Sequence, residues 1–219
     1  MGFILRNGVS YCVTSGRPIF LDLPRDRYFC LAPEAEQSFI ALARGSDTPT
    51  PAELEMLVAA GAVIEVAGDA RPQPCRMLPA PRTSLLDASR PARNFWQLTA
   101  ALVELARIDR QLRQRGLATA IASVAETKAR MPAANRRSEP NIVAAAAFAR
   151  AAVVIPAHDK CLSRSMAVAR RLLRLGGRAD LVLGVRLQPF RAHCWVQDGD
   201  TLINDRPDVV ADFTPILVV

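Results

Sequence analysis

The chain has 219 residues, half of them apolar and few aromatic, enough for one large or two small domains with a core of Leu, Val, Ile and Ala. Its net charge of +7 comes almost wholly from arginine, the only lysines being Lys128 and Lys160; this suits carboxylate or phosphate partners but does not by itself mark a nucleic-acid binder. No apolar run approaches the ~20 residues that span a bilayer, and residues 1–6 do not read as a signal peptide. Five cysteines without paired spacing point to a reducing cytosol and away from disulfides or structural zinc.

Residues 1–70 run from strands to helices. Alternation from Val9 to Ser15 predicts a strand, Gly16-Arg17 a tight turn, Pro18 to Leu23 a second strand, and Tyr28 to Leu31 a third after a turn at residues 24–27. Pro33 opens a helix at a position that needs no donor; Phe39, Ile40 and Leu42 continue it and Gly45 stops it. Thr50, with Pro51 and Glu53 behind it, reads as the cap of a second helix with apolar face Leu54, Leu57, Val58 and Ala62. Residues 62–66 close the unit as a strand or a fraying helix. Three strands followed by two or three helices predict a winged-helix-like module.

Five prolines between Pro72 and Pro91 exclude a long helix, predict an extended linker over residues 71–93, and set a domain boundary there. A second domain follows over residues 94–219. The stripe Phe95, Leu98, Leu102, Leu105 and Leu112 predicts a helix that packs on a core and ends near Gly116. A second helix is expected over about 117–129 and a third, Ala-rich, from Pro140 to about Val153. The chain is therefore expected to be α+β.

The chemistry gathers in the last sixty residues. Asp159 reads as a helix cap that would put Lys160 first and Cys161 second in a helix reaching Leu175 and closed by Gly176-Gly177. A first-turn cysteine feels the positive end of the helix dipole, which favours thiolate; an inert core thiol fits that position as well. Leu162, Met166, Ala169 and Leu173 form the expected buried stripe of this helix. The chain has only two histidines, so a thiol nucleophile has few bases to choose from.

Residues 182–187 and 190–196 read as strands, and Asp198-Gly199-Asp200 as a turn into Thr201 to Asp205. If that turn is a three-residue loop, Gln197 pairs with Thr201 and His193 lies opposite Asp205, with Cβ atoms ~5 Å apart. A two-residue loop at Asp198-Gly199 would put Asn204 there instead, and Asn also orients a base. Alternation turns Ala192 and Cys194 away from His193 and puts Trp195 on its face, as a site wall or as core. His158, three residues before Cys161, is the rival base.

Cysteine, helix, strand-borne histidine, turn and Asp is the order found in transglutaminase-like thiol enzymes. Cys161-Leu162-Ser163-Arg164-Ser165, Gly184-Val185, Pro189 to Val196 and Asn204-Asp205 resemble more closely the lasso-peptide leader peptidases, the B proteins of lasso-peptide gene clusters. The likeness covers residues 140–217. Where that family commonly has Ala, this chain has Cys194. The first seventy residues resemble the RiPP recognition element, the winged-helix (PqqD-like) leader-binding domain often fused to this peptidase, here short in its helical part.

The resemblance implies a transglutaminase-like, papain-like cysteine protease domain with Cys161 as nucleophile, His193 as base and acid, and Asp205 holding the imidazole tautomer. It implies hydrolysis of the bond between leader and core of a precursor peptide, in the cytoplasm. An ATP-dependent macrolactam synthetase similar to asparagine synthetases would then use the freed amine. No cofactor, metal or nucleotide motif is evident in the chain itself. The leader would add as a strand beside Arg27, Tyr28, Phe29, Cys30 and Leu31, in a groove shared with Leu54, Leu57 and Val58. Acyl transfer to an amine uses the same triad. A non-enzymatic, DNA-binding winged helix is disfavoured because Glu53, Glu55 and Met56 stand where a recognition helix carries Arg, Asn and Gln.

Overall fold

The computed structural model describes residues 1–47, 49–87, 95–130, 139–154, 160–177 and 179–219; His158, Asp159 and Arg178 lie outside them. Ser15 (φ 50°) and Gly16 (φ 77°) close β2 (Val9–Thr14) onto β3 (Arg17–Asp22), with Thr14 opposite Arg17. Two left-handed residues give the turn whose twist matches the strands it joins. The turn therefore lies one residue earlier than the sequence suggested. β4 (Arg27–Phe29) adds antiparallel to β3, completing a three-stranded sheet.

Helix α1 (Pro33–Arg44) begins at Pro33 and ends on left-handed Gly45. Helix α2 (Pro51–Ala59) carries the expected capping box: the Glu53 amide donates to the Thr50 hydroxyl, and the Thr50 amide to the Glu53 carboxylate at 2.7 Å. Residues 63–66 form β5 (Val63–Val66), which pairs with β1 (Gly2–Leu5), a strand the sequence did not announce. The unit thus holds five strands and two helices, where three strands and two or three helices were expected.

The β2–β4 sheet buries both faces. Tyr11, Phe20 and Phe29 turn to one side and meet Phe39 of α1, with the Phe20 and Phe39 rings 4.8 Å apart. Cys12, Ile19, Leu21 and Tyr28 turn to the other side and join the core of the residues that follow. Ile19 and Leu21 are 1% and 0% exposed, and burial of each stabilises by roughly 1.5–3 kcal/mol. The first seventy residues are therefore packed onto the rest of the chain.

The proline-rich segment was expected to be a linker. Its described part, residues 71–87, is extended as predicted but fastened at both ends. The Cys75 amide donates to the Tyr11 carbonyl (2.8 Å), and Gln197 Nε2 donates to the Pro79 carbonyl (2.6 Å). Within it, β6 (Thr83–Ser84) runs parallel to β9 (Thr201–Leu202). Proline excludes a helix here, while the remaining amides and carbonyls still find partners. It is a strap.

The larger sheet has the order β10-β7-β8-β9-β6, with β7 (Asp180–Arg186), β8 (Arg191–Asp198) and β10 (Thr214–Val218) antiparallel. Helix α3 (Phe95–Ala129) breaks at Gly116 (φ 73°), the expected boundary between two helices. Before the break its deepest residues are Ala101, Glu104 and Ile108, while Phe95 at the start of the predicted stripe is 69% exposed. Buried Glu104 was not foreseen as core. It is paired with Arg170 (3.1 Å) and Arg174 of α5 (Cys161–Arg174), so the helices are tied by charge as well as by apolar contact. Ala-rich α4 (Glu139–Val154) covers the same core, and a short α6 (Pro207–Val210) leads into β10.

Candidate active site

The site is built on the open edge of β8. Beyond Gln197 the partner strand β9 is used up, so the edge has backbone groups to satisfy. Val196 keeps one ladder bond, its carbonyl accepting from the Ile203 amide at 2.9 Å. Side chains do the rest: Asn204 Oδ1 accepts the Val196 amide (2.8 Å), and Ser165 Oγ of α5 donates to the Cys194 carbonyl (2.7 Å). Asn204 Nδ2 in turn donates to Ser165 Oγ (2.9 Å). The Cys194 amide, on the same edge, donates to the sulfur of Cys161. This docking brings the start of α5 against the strand that carries His193.

The helix begins one residue later than expected. Lys160 is the cap residue, its carbonyl accepting the Arg164 amide at 3.0 Å, and Cys161 is the first helical residue. The thiol stays in the first turn, where the dipole favours its anion. Burial acts to raise its pKa. The hydrogen bond and charge of His193 and the amides of Cys194 and Leu162 outweigh that effect, and the net direction is down. For His193 burial acts to lower the pKa, but hydrogen bonds to Asp205 and Cys161 and their charges raise it to about 9. The two shifts favour a thiolate–imidazolium pair.

His193 Nε2 lies 2.5 Å from Asp205 Oδ2, which leaves Nδ1 for the thiol. The other Asp205 oxygen accepts the Arg206 amide (2.9 Å), and its carbonyl accepts the Ser84 hydroxyl from the strap (2.6 Å). Sequence counting brought these residues together through a register that does not occur. The ladder pairs Asp198 with Thr201 and Gln197 with Leu202, a two-residue Gly199-Asp200 turn that matches neither loop considered. Continued, that register would set Arg206 opposite His193. The chain instead leaves the ladder after Ile203, Asn204 turns inward to bond the edge, and the bend carries Asp205 to the imidazole.

Trp195 is 2% exposed and lies behind His193, ring centroids 6.1 Å apart, with its indole N–H donated to Gln197. It backs the imidazole and does not wall an open cleft. Phe213, which sequence reading passed over, stands 5.2 Å from the same ring. Gly184 faces His193 across the ladder, and a Cβ there would come within 2.6 Å of the Trp195 ring. That close approach accounts for glycine in Gly184-Val185. Burial pushes the Cys194 thiol far up, and Cys12 and Cys75 are raised to about 12 and about 11.

The ion pair has a measurable sign. Cys161, lowered, keeps its thiolate at pH values where an ordinary thiol is protonated, and it holds its imidazolium partner until His193 titrates near pH 9. Alkylation by iodoacetamide, read by mass at Cys161, should therefore persist into the neutral range. In His193→Ala only burial and the two amides act, and the midpoint should move upward; an unmoved midpoint would refute the ion pair.

The residues expected to hold a leader differ in their exposure and contacts. Tyr28 packs into the larger core and Leu31 and Leu57 are 6% and 0% exposed, all three turned inward. Arg27 lies over the Phe29 ring (5.2 Å) and near Asp22, and Cys30 is exposed. Leu54 and Val58 line a cavity of about 910 Å³ with Phe3, Leu42, Glu65 and Arg71. No residue of β4 lines it. α2 lines that cavity together with residues of β1 and β5, while Leu57 joins Phe29 and Leu31 in one apolar cluster.

A thiol in a helix's first turn, an imidazole on the adjoining strand and a carboxylate beside it define a Cys-His-Asp arrangement on an α+β scaffold. The chain belongs to the transglutaminase-like superfamily, whose family model matches residues 102–218, more than half of the chain. It is also similar to the Microcin J25-processing protein McjB of Escherichia coli, 47% identical over 49 residues. That stretch is 22% of this chain and 24% of the relative, about a quarter of its length. Both findings support the resemblance to lasso-peptide B proteins. No solved structure matches the chain. Among the described residues no helix is long and apolar enough to cross a membrane.

Proposed function

We propose that this chain is a lasso-peptide leader peptidase: it binds a precursor by its leader and hydrolyses the leader–core bond through Cys161, His193 and Asp205. The observation that carries this reading is the contact chain from Cys161 through His193 to Asp205, made at the start of a helix. The similarity to a protein named for processing a microcin supports a peptide substrate.

In the proposed reaction the Cys161 thiolate attacks the carbonyl carbon of the leader's last residue. His193, protonated at Nδ1, gives that proton to the core's nitrogen as the C–N bond breaks, leaving a thioester on Cys161 and a free core amine. Water then adds to the thioester, His193 takes its proton, and the leader leaves as a carboxylic acid. Asp205 keeps Nε2 hydrogen-bonded throughout, so the imidazole presents Nδ1 to the sulfur in both steps. The Cys161 amide, at the start of α5, is proposed to face the charge that develops on the carbonyl oxygen.

The leader is proposed to add along β4, which pairs only with β3 among the described strands. The work is set in the cytoplasm, with a macrolactam synthetase taking the freed amine. Incubation with the precursor encoded beside it should yield, by mass, one new amide-bond break with addition of water. A leader-only peptide should inhibit competitively and a core-only peptide should not. An uncut precursor would sink the peptidase reading, a product carrying an added amine would replace hydrolysis by acyl transfer, and equal inhibition by both peptides would remove leader recognition.

A further inference from the structure

The bend that brings Asp205 to the imidazole has few fixed points. The chain leaves the ladder after Ile203, and the Asn204 side chain is spent on the edge of β8 and on Ser165. Among the described residues Asp205 makes three hydrogen bonds: Oδ2 with His193, Oδ1 from the Arg206 amide, and its carbonyl from Ser84 Oγ at 2.6 Å. The first is the contact that the reaction uses. The second comes from the next residue and moves with the carboxylate. Of the three, the Ser84 bond alone ties the bend to a separate element, the strap.

Ser84 can donate in one direction only. On β6 it stands opposite Leu202 of β9, and the Leu85 amide donates to the Leu202 carbonyl at 2.9 Å. Its hydroxyl accepts the Leu86 amide (3.0 Å), which leaves its own proton for the Asp205 carbonyl. The residue is 8% exposed, so little water competes for either bond. The strap is also tied to the support of the imidazole. Gln197 accepts the indole N–H of Trp195, the ring behind His193, and donates to the Pro79 carbonyl. One segment thus reaches both partners of the His193–Asp205 contact.

We propose that Ser84 is a positioning residue for the reaction: delivered by the strap, its hydroxyl fixes the bend after Ile203 so that the Asp205 carboxylate meets His193. This rests on the peptidase reading above. A displacement of about 1 Å in a catalytic group can cost on the order of 100-fold in rate, and a bend with one outside hydrogen bond is free to make such a shift once that bond is lost. The working catalytic unit then begins in the strap, ahead of residue 94.

Ser84→Ala in the full chain removes the hydroxyl. The expected result is a loss of about 10- to 100-fold in kcat with KM unchanged. The pH profile of Cys161 alkylation should move as well. A less firmly held Asp205 raises His193 less, so the imidazolium is lost at lower pH and the Cys161 midpoint moves upward. Ser84→Thr keeps a hydroxyl and should restore kcat and profile together. Thr83→Val, one residue away, removes the side-chain bond to Thr201 and should leave both at wild-type values. Wild-type kcat in Ser84→Ala would overturn the proposal, and so would a loss carried by KM or an unmoved profile. A Ser84→Thr chain as slow as Ser84→Ala, or an equal loss in Thr83→Val, would reduce the bond to a structural one and overturn it too. Should Ser84→Ala fail to fold, Ser84→Cys, similar in size and a weak donor, takes its place with the same expectations. If the wild-type chain cuts no precursor, the peptidase reading falls. The alkylation profile, which needs no substrate, then decides the placement alone: equal midpoints in wild type and Ser84→Ala would refute it.

Discussion

Cys161→Ala should leave the precursor uncut, with kcat down by a factor on the order of a million, as for removal of the nucleophile from other triads. No second thiol stands ready. Cys194 is the nearest in sequence to His193, but it is 2% exposed and its thiol is pushed far up by burial. Cys12 is 3% exposed and likewise raised. Because the leader is proposed to bind along β4 through main-chain hydrogen bonds that do not involve the sulfur, the variant should still bind the precursor with wild-type affinity, which titration with a labelled precursor would measure. Cleavage at the normal rate would sink the mechanism; lost binding with lost cleavage would mean that the variant had misfolded.

The second large effect separates two adjacent residues. Asp205→Ala should lower kcat by roughly 10⁴, the loss seen when the residue orienting a catalytic imidazole is replaced. Without the carboxylate, burial acts on His193 with less opposition, so its pKa falls from about 9 and the thiolate loses a firm partner. The melting temperature should change little, since Asp205 is held mainly through its backbone by Ser84. Asn204→Ala should do the reverse. It leaves the Val196 amide without its acceptor and removes a partner of Ser165, at about 1–3 kcal/mol for a group left unsatisfied. It should therefore lower the melting temperature by several degrees while cutting activity far less. A larger kcat loss in Asn204→Ala would mean that Asn204 orients His193 in the working enzyme.

Much of the site was legible because it depends on local signals. Cys161 lies at the start of an amphipathic helix, and His193 lies in an alternating strand of a chain with one other histidine. Their adjacency follows once α5 docks on β8. Asp205 was reached through a regular hairpin, and the true path includes a bend after Ile203 that no alternation pattern encodes. Ser84 and Phe213 come to the site from separate elements, and nothing near them in sequence marks them; Ser165 stands in the quoted Cys161 to Ser165 stretch, but the bonds it makes to β8 and Asn204 are tertiary.

The same distinction runs through the fold. The caps of α1 and α2 and the break at Gly116 are written in neighbouring residues and were read correctly. β1 is short and finds its partner some sixty residues later. The strap's prolines declared it extended, but the donors and acceptors that fasten it belong to β2 and β8. Tyr28 was read as a strand residue facing a leader. Which way it faces was settled by the second core beneath the sheet, a tertiary fact.

A sheet with two buried faces has no outside. Cys12, Ile19 and Leu21 are interior to the catalytic half, while Phe20 and Tyr11, one pleat away, are interior to the other. The apolar free energy of the three strands is thus held in common. The two halves should melt as one cooperative unit, and a ligand that binds only the folded N-terminal unit stabilises the triad by mass action. In thermodynamic terms, occupancy of the leader site and integrity of the cutting site are linked variables, although no residue need move between them.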